Sequence, residues 1–425
     1  MQASPTDSRA KSYLALIDQG LVSGVNFITG LLLARFLGMD GYGQFVLAYG
    51  IILFLSGIQM ALIISPMMVM GPTIGDDQKS VYYRAVARQQ LVFAAACVLI
   101  VYCFTFTVGR LFPEWQLQPI AAPLAAVAVL FTTQDFIRRL LFVLNQALPA
   151  LLNDLVSYGL QLTLLIVLGI HSDLTAGDAL WIIALTSLAA IITLPLLSRI
   201  ANAYVLGSMR RLPENATDRQ HWEFGKWLIG RNIVYWGGTQ LLIYMAGAML
   251  SVAAVGAMTA ARNIVGLTNL LFLAMENLVP SRAARIYSQR GIAALGRYLR
   301  RVSVIGGGLT LAIVGIAAIA PEFWLKLFYG EAYQGYGWVV IWWCVFNFIG
   351  FFHRPLTAGL RTLNQTKAIF TATLMGTIVV ALIGYAAIQY AQLHGAMISL
   401  VAVQLVILIS LFVKLKKEIR AHSNA

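Results

Sequence analysis

Long apolar blocks dominate the pattern of hydrophobic and polar positions along the chain. Four of them, residues 91–108, 179–197, 302–320 and 396–413, contain almost no polar side chains. A helix needs about 20 residues to cross a hydrocarbon core of ~30 Å, and within that core a helix satisfies its own backbone hydrogen bonds. The strict alternation typical of half-buried strands is missing. The pattern therefore predicts helices that cross a membrane.

Twelve membrane spans are predicted in this way. The first leads directly into the second and lacks a small-residue cleavage site, so we expect it to remain in the mature protein and not to be removed as a signal peptide. The predicted spans begin near Ser12, Tyr42, Arg88, Pro119, Leu148, Ala179, Trp227, Val252, Val302, Trp338, Ala368 and Ala396.

Charge is scarce and unevenly distributed. Of 425 residues, 59% are hydrophobic and 11% are charged, against about 25% in soluble domains. Of the 30 Lys and Arg residues, 26 fall on one side of the predicted spans, while Arg35, Arg110 and Lys326 lie on the other and Arg262 lies inside a span. The positive-inside rule places the basic side, with both termini, in the cytoplasm. The net charge of +13 then reflects topology, and no nucleic-acid partner is expected.

The two halves of the chain resemble each other. Residues 36–48 match 249–261 at an offset of 213, residues 111–112 match 327–328 at 216, and residues 144–146 match 363–365 at 219. The repeat contains six spans, so both copies have the same orientation and are related by an axis along the membrane normal. The predicted fold class is an all-α polytopic membrane protein with about 12 transmembrane helices in two parallel six-helix bundles. The predicted domains are 1–206 and 227–425, joined by a cytoplasmic linker at 207–226.

Sequence signatures of an enzyme or pump are not found. The chain has no GxxxxGK phosphate loop and no HExxH motif, and its three cysteines lie inside predicted spans without CxxC spacing. We therefore predict no catalytic residue, no cofactor and no bound metal. Any transport would draw on an ion gradient, the membrane potential or removal of the product.

Several short motifs carry a family resemblance. The first span ends in Leu-Leu-Leu-Ala-Arg-Phe-Leu-Gly at 31–38, followed by Gly-Tyr-Gly at 41–43. Three further motifs contribute to the resemblance: Val-Gly-Ala at 255–257, Pro280 with the basic residues that follow it, and Leu-Phe-Tyr-Gly at 327–330. The chain resembles the polysaccharide and O-antigen flippases of the multidrug/oligosaccharidyl-lipid/polysaccharide exporter superfamily. It departs from the pattern at 251–254, where Ser-Val-Ala-Ala replaces the Gly-Met-Asp-Gly of 38–41.

The resemblance implies a V-shaped pair of bundles around a central cavity. It implies translocation, by alternating access, of an undecaprenyl-pyrophosphate-linked oligosaccharide across a bacterial inner membrane for O-antigen, capsule or exopolysaccharide synthesis. The expected partners are membrane lipids, a polysaccharide polymerase and glycosyltransferases. Coupling of transport to H+ or Na+ is also expected. Two alternatives stay open: a multidrug or cation exporter, which needs acids at the midplane, and a membrane scaffold of a polysaccharide synthase complex, which needs no charge in the cavity.

Charged residues inside spans are the candidate site residues, because burying a charge in the bilayer is costly. Arg262 lies eleven residues into the eighth span, about 16 Å deep, and suits a pyrophosphate; a structural ion pair is the alternative. Asp18 and Arg231 are equivalent under the 213 offset and predict a cytoplasmic gate. In the alternative, Asp18 caps or solvates the inner end of its helix and Arg231 extends to lipid phosphates.

The remaining candidates are weaker. Arg35 is a cavity-mouth residue or a snorkelling arginine, and Asp135 is a coupling acid or the partner of Arg138 and Arg139 in its own helix. Glu276 and Asp154 lie near the inner ends of spans and are further candidates for ion coupling. Substrate contacts in a polar lumen are predicted for three side chains, Tyr49, Asn26 and Gln134.

Overall fold

The computed structural model describes residues 5–207 and 216–423, and within them the long elements are all α-helices. A π-helical turn, Met60–Ile64, joins α1 to α2, and short 3-10 turns join several others. The helices are α1 (Pro5–Gln59), α2 (Ser65–Met70), α3 (Asp76–Leu111), α4 (Ala121–Val143), α5 (Ala147–His171), α6 (Ala176–Leu197), α7 (Arg199–Gly207), α8 (Ala216–Met249), α9 (Val252–Ile264), α10 (Thr268–Ile319), α11 (Pro321–Tyr329), α12 (Gly337–Thr362) and α13 (Thr366–Ser423).

Three helices are long enough for two membrane crossings each. Each of them, α1, α10 and α13, contains one residue with non-helical backbone angles: Gly38 at φ 66°, Gly291 at φ 71° and Gln392 at φ 49°. Seven continuous helical stretches are long and apolar enough to cross a membrane, and these kinks divide the three longest. With α4 and α8, the described chain contains twelve long helical segments, the number that the sequence predicts.

The chain forms two compact units, in agreement with the predicted all-α fold of two bundles. Unit 1 comprises Met1–Leu37 and Gln44–Ile233, and unit 2 comprises Gly38–Gly43 and Val234–Ala425. Residues 208–215 of the predicted linker lie outside the described residues, and residues 216–226 form the beginning of α8. The division between the units falls inside α8, while the predicted boundaries at 206 and 227 stay a prediction.

The internal repeat is visible in the backbone. Asn145 after α4 and Asn364 after α12 both adopt left-handed angles, at φ 59° and φ 56°. The next residue in each case, Gln146 or Gln365, donates its backbone N–H over 2.8 Å to a carbonyl five residues earlier. This is the hydrogen-bond pattern of a Schellman helix end, which favours asparagine or glycine at the left-handed position. The repeated Leu-Asn-Gln sequence is thus a repeated helix stop.

A second pair of repeat-related residues meets inside unit 2. A Cβ atom on Gly43 would collide with the backbone carbonyl of Val252, and one on Gly256 with the backbone carbonyl of Met39. The same offset of 213 relates Gly43 to Gly256 and Met39 to Val252. The contact is therefore reciprocal, as at a two-fold interface, and it requires glycine because the backbones approach too closely for any side chain.

Each unit has its own apolar core. In unit 1, Tyr83, Phe136 and Leu140 are buried beside residues of α6 and α7. In unit 2, Leu299 of α10 and Leu415 of α13 are buried in a cluster with residues of α12. Many outward-facing side chains are apolar as well, which is what a lipid-facing surface requires.

Candidate functional site

A buried ion cluster joins α1, α4 and α5 of unit 1. Arg138 of α4 donates from Nη2 to Asp18 Oδ2 of α1 and from Nε to Asp154 Oδ2 of α5, each over 2.5 Å. The side chains of Asp18 and Asp154 are 1% and 0% exposed and that of Arg138 is 7% exposed. One guanidinium fork thus binds two carboxylates from two other helices, a geometry that lysine cannot reproduce. With all three groups ionised, the cluster has one excess negative charge.

Neutral polar groups surround this ion cluster. Gln134, one turn before Arg138, donates to Asp154 Oδ1 over 2.9 Å and to Asn153 Oδ1 over 3.3 Å. Asn153 in turn donates to the Ala190 carbonyl of α6 over 2.7 Å. Both oxygens of Asp154 are therefore hydrogen-bonded. The other oxygen of Asp18, Oδ1, is buried and accepts no hydrogen bond from the described residues.

Helical periodicity explains why these side chains meet. Gln134 and Arg138 are separated by four residues and share the buried face of α4. Asp135 and Arg139 each lie one residue further and share the adjacent, half-exposed face, where their side chains pair at 3.3 Å. Of the two basic partners considered for Asp135, the structure therefore pairs it with Arg139. The coupling role predicted for Asp135 stays a prediction.

Arg138 is the residue of the ion cluster that the sequence analysis does not predict as a site residue. The positive-inside assignment counts it among the basic residues of the cytoplasmic side, and the structure places it inside α4. A usable signal existed, because Asp18 and Asp154 both lie in spans and a buried acid in a bilayer needs a partner. Gln134, predicted to contact substrate, is instead hydrogen-bonded within the cluster; its substrate role stays a prediction.

Of the two side chains in the predicted gate, Asp18 and Arg231, the structure describes only that of Asp18. Asp18 binds Arg138, as stated above. The backbone of Arg231 belongs to α8, but its side chain lies outside the described residues. The pairing with Arg231 stays a prediction, and any such contact has to compete with an existing bond between Asp18 and Arg138.

Arg262 lies in unit 2 in the last turn of α9. The helix ends at Ile264, and a 3-10 turn, Val265–Leu267, leads to α10. Its guanidinium carbon is 5.9 Å from the centroid of the Trp343 ring, and its side chain is partly exposed. The neighbouring Asn263 donates to the Tyr42 hydroxyl over 2.9 Å. The carbonyl end of a helix attracts a cation, so an interrupted helix provides a favourable place for this charge within a span.

The other predicted site residues are distributed over both units. In unit 1, Asn26 and Arg35 are exposed on α1, and Tyr49 is half-buried with its ring stacked on Phe45 at 5.1 Å. In unit 2, Glu276 is exposed and its carboxylate lies 3.5 Å from Arg354 Nε. Their functional roles stay predictions.

The start of α8 is docked on α3 within unit 1. Arg88 donates to Asp218 over 2.8 Å, and the buried His221 lies 3.0 Å from the Tyr82 hydroxyl. Burial disfavours the charged imidazole and lowers the pKa of His221 to about 4. Glu223 has its pKa lowered by a hydrogen bond from Lys226. Residues 216–226, predicted as part of a linker, are therefore a packed helix.

The comparisons with known proteins point to one fold. The MatE family profile matches residues 228–386. No curated protein sequence matches the chain. An inward-facing multidrug resistance MATE family transporter of the MOP superfamily superposes with a TM-score of 0.75 at 16% identity, over 94% of this chain and 95% of that one.

Two further solved structures are similar over nearly the whole chain. The lipid II flippase MurJ in an inward closed conformation has a TM-score of 0.70 at 11% identity, over 96% of this chain and 87% of that one. A MOP superfamily transporter from Pyrococcus furiosus, described as having a binding pocket of reverse polarity, has a TM-score of 0.60 at 16% identity, over 97% and 95%. At these identities the likeness establishes the fold.

Proposed function

We propose that this protein is a transporter of the MOP superfamily that flips a polyprenyl-pyrophosphate-linked oligosaccharide across a bacterial cytoplasmic membrane. One observation carries the proposal: Arg138 binds both deeply buried acids of unit 1, Asp18 and Asp154. A cation exporter needs acidic groups that are available to its substrate, and a guanidinium at 2.5 Å from both occupies them.

Two arginines, one at the end of a span and one inside a span, favour an anionic substrate. Arg35 is exposed on α1 and Arg262 is partly exposed on α9. A pyrophosphate offers several oxygens to the planar fork of a guanidinium, which grips two of them at once. The similarity to MurJ supports a lipid-linked substrate, because that protein is a lipid II flippase.

The ion cluster of unit 1 supports coupling to protons in the same proposal. Two buried carboxylates share one guanidinium, so the ionised cluster carries one excess negative charge. Loss of that charge would weaken the electrostatic attraction that joins α1, α4 and α5. A change at these helices is the kind of local electrostatic event that biases a two-state transporter.

The test is translocation in proteoliposomes. A fluorescent polyprenyl-pyrophosphate oligosaccharide is placed in both leaflets, and its accessibility to an external quencher is followed. We expect the protein to accelerate equilibration, and Arg262→Ala to slow it roughly ten- to hundredfold, as for loss of hydrogen bonds to a charged group. Arg262→Lys should recover part of the rate and Arg262→Glu should be slower than Arg262→Ala.

A matched control is available at the end of α3, on the side of the spans with few basic residues. Arg110 is exposed at the end of α3, with its guanidinium 4.0 Å from the Phe106 ring. Arg110→Ala removes the same charge and should leave the rate unchanged. Equal rates for the wild type and Arg262→Ala, at matched reconstitution, would remove Arg262 from the substrate site.

The second candidate function is export of multidrug or other cationic substrates. The 0.75 TM-score to a multidrug resistance MATE family transporter favours it. The same proteoliposomes distinguish the two: uptake of a cationic dye under a proton gradient, with no movement of the lipid-linked substrate, would replace the flippase proposal with this one. A synthase scaffold would move neither. Under the flippase proposal both termini are cytoplasmic, and a polymerase and glycosyltransferases act on either side of the translocation step.

A further inference from the structure

Unit 2 contains a cavity of about 580 Å³ between α10, α12 and α13. Its walls are almost entirely apolar and include Leu299, Phe352 and Phe412. Phe412 is 53% exposed, so the cavity opens on a lipid-facing surface of α13. A cavity of this volume is of the size that buries a small amphiphilic ligand. It is separate from the ion cluster of unit 1 and from Arg262.

The polar side chains of the cavity lining lie together on α10 and define what we call its polar end. Arg300 and Ser303 are on the lining, and Arg300 is exposed at the start of the apolar run 302–320. Lys416 follows on α13, with its ammonium 6.0 Å from the Phe412 ring. Among the described residues, no acidic side chain lines the cavity. The basic residues of this region are cytoplasmic under the positive-inside rule, which puts the polar end at the headgroup level of the inner leaflet.

We propose that this cavity binds one anionic glycerophospholipid of the inner leaflet, with an acyl chain among Leu299, Phe352 and Phe412 and its phosphate on Arg300. Basic pockets between transmembrane helices on the cytoplasmic side bind anionic lipid headgroups. The charge of the polar end and the apolar walls match the two parts of such a lipid. A lipid bound across α10, α12 and α13 joins three helices of unit 2 and stabilises this unit.

The volume of the cavity fits one of the two acyl chains of such a lipid and is too small for a whole polyprenyl tail. A cavity in the middle of the range of ~300–1,000 Å³ for small-ligand sites takes one aliphatic chain. An undecaprenyl tail, built from eleven isoprene units, exceeds it. The lipid site is thus independent of the transported substrate, and its test needs no transport.

The headgroup part is tested by native mass spectrometry of the purified protein with phosphatidylglycerol or phosphatidylethanolamine. We expect the wild type to retain phosphatidylglycerol preferentially, and Arg300→Ala to weaken that retention about fivefold, as for one basic group beside an anionic lipid surface. Arg301→Ala is the matched control, because Arg301 is the exposed next residue of the same helix and lies outside the cavity lining. Equal losses for Arg300→Ala and Arg301→Ala would overturn the proposal, because they would indicate general charge attraction.

Binding of the acyl chain is tested by filling the cavity with a larger side chain. Gly296 of α10 lies on the lining, and a Cβ placed on it meets no atom within 4 Å. Gly296→Leu therefore extends into open space and should abolish phosphatidylglycerol retention, while replacement of a glycine inside a helix favours folding. Gly308→Leu, also on α10 with nothing within 4 Å and outside the lining, is the control and should retain the lipid.

Two results would contradict the proposal. Unchanged phosphatidylglycerol retention in Gly296→Leu would show that the lipid does not occupy the cavity. Displacement of phosphatidylglycerol by an equal concentration of undecaprenyl phosphate, dependent on Arg300, would assign the cavity to the carrier instead. Reduced retention in both Arg300→Ala and Gly296→Leu, with both controls unaffected, supports the proposal.

Discussion

Replacement of Arg138 by methionine is the sharpest test of the buried ion cluster. The substitution removes the only charge that is bonded to both Asp18 and Asp154 in the described structure and leaves two carboxylates 1% and 0% exposed. Removal of one partner from a buried ion pair costs about 3–5 kcal/mol, because the remaining charge is unsolvated. The cost should not exceed this by much, because a stranded carboxylate takes up a proton.

The cost should be specific to this arginine. Arg139, the next residue, pairs with Asp135 at 3.3 Å, and both side chains are partly exposed, at 30% and 23%. Exposed pairs of this kind contribute about 0–1 kcal/mol. Arg139→Met should therefore lower the free energy of unfolding by at most about 1 kcal/mol. Arg138→Lys should fall between the two, because it retains the charge but loses the fork.

A compensating triple variant separates stability from transport. Asp18→Asn, Arg138→Met and Asp154→Asn together remove all three charges, and the two asparagines keep the shape of the aspartates. Neutral replacement of a complete buried ion cluster is often close to neutral for stability, so we expect the triple variant to recover most of the loss caused by Arg138→Met. If the cluster couples transport to protons, the same variant should be folded and deficient in gradient-driven transport.

The measurement is unfolding of the purified variants by detergent titration in mixed micelles, followed by tryptophan fluorescence and by a second probe. The decisive quantity is the difference in free energy of unfolding between Arg138→Met and Arg139→Met. If the two variants unfold at the same denaturant composition, the ion cluster contributes nothing beyond an exposed pair and the argument from buried charge fails.

Three further predictions address topology, pH dependence and the repeat. Reporter fusions at Arg219 should be cytoplasmic and those at Asp173 periplasmic; exchanged signals would disprove the assigned orientation. The pKa of His221 is about 4 in the folded protein, against 6.5 for an unburied histidine. The contribution of the neutral imidazole to the free energy of unfolding should therefore be fully present above pH 6.5 and decrease by up to about 3 kcal/mol as the pH falls towards 4. His221→Gln should flatten that part of the dependence of unfolding on pH. Gly256→Ala should destabilise the protein by roughly 1–3 kcal/mol through its clash with the Met39 carbonyl, whereas Gly308→Ala, which meets no atom, should not, and equal thermal unfolding of the two would refute the close contact.

Much of the fold was predictable because its determinants are local. The twelve spans follow from the length of apolar blocks, which each helix carries in its own sequence. The helix stops at Asn145 and Asn364 follow from a backbone angle that asparagine adopts readily. The repeat placed Gly43 and Gly256 at equivalent positions, and their reciprocal contact gives that match a steric reason.

Only the tertiary structure decided which side chains meet. Asp18 and Arg138 are 120 residues apart, and their bond depends on how α1 and α4 are rotated against each other. The apolar cavity of unit 2 is likewise formed by α10, α12 and α13 together, and no single helix predicts it. A span buries its apolar residues equally well in lipid or in protein, so hydrophobicity leaves the rotation of each helix open. Packing fixes that rotation, because a buried charge is tolerated only where a partner from another helix faces it.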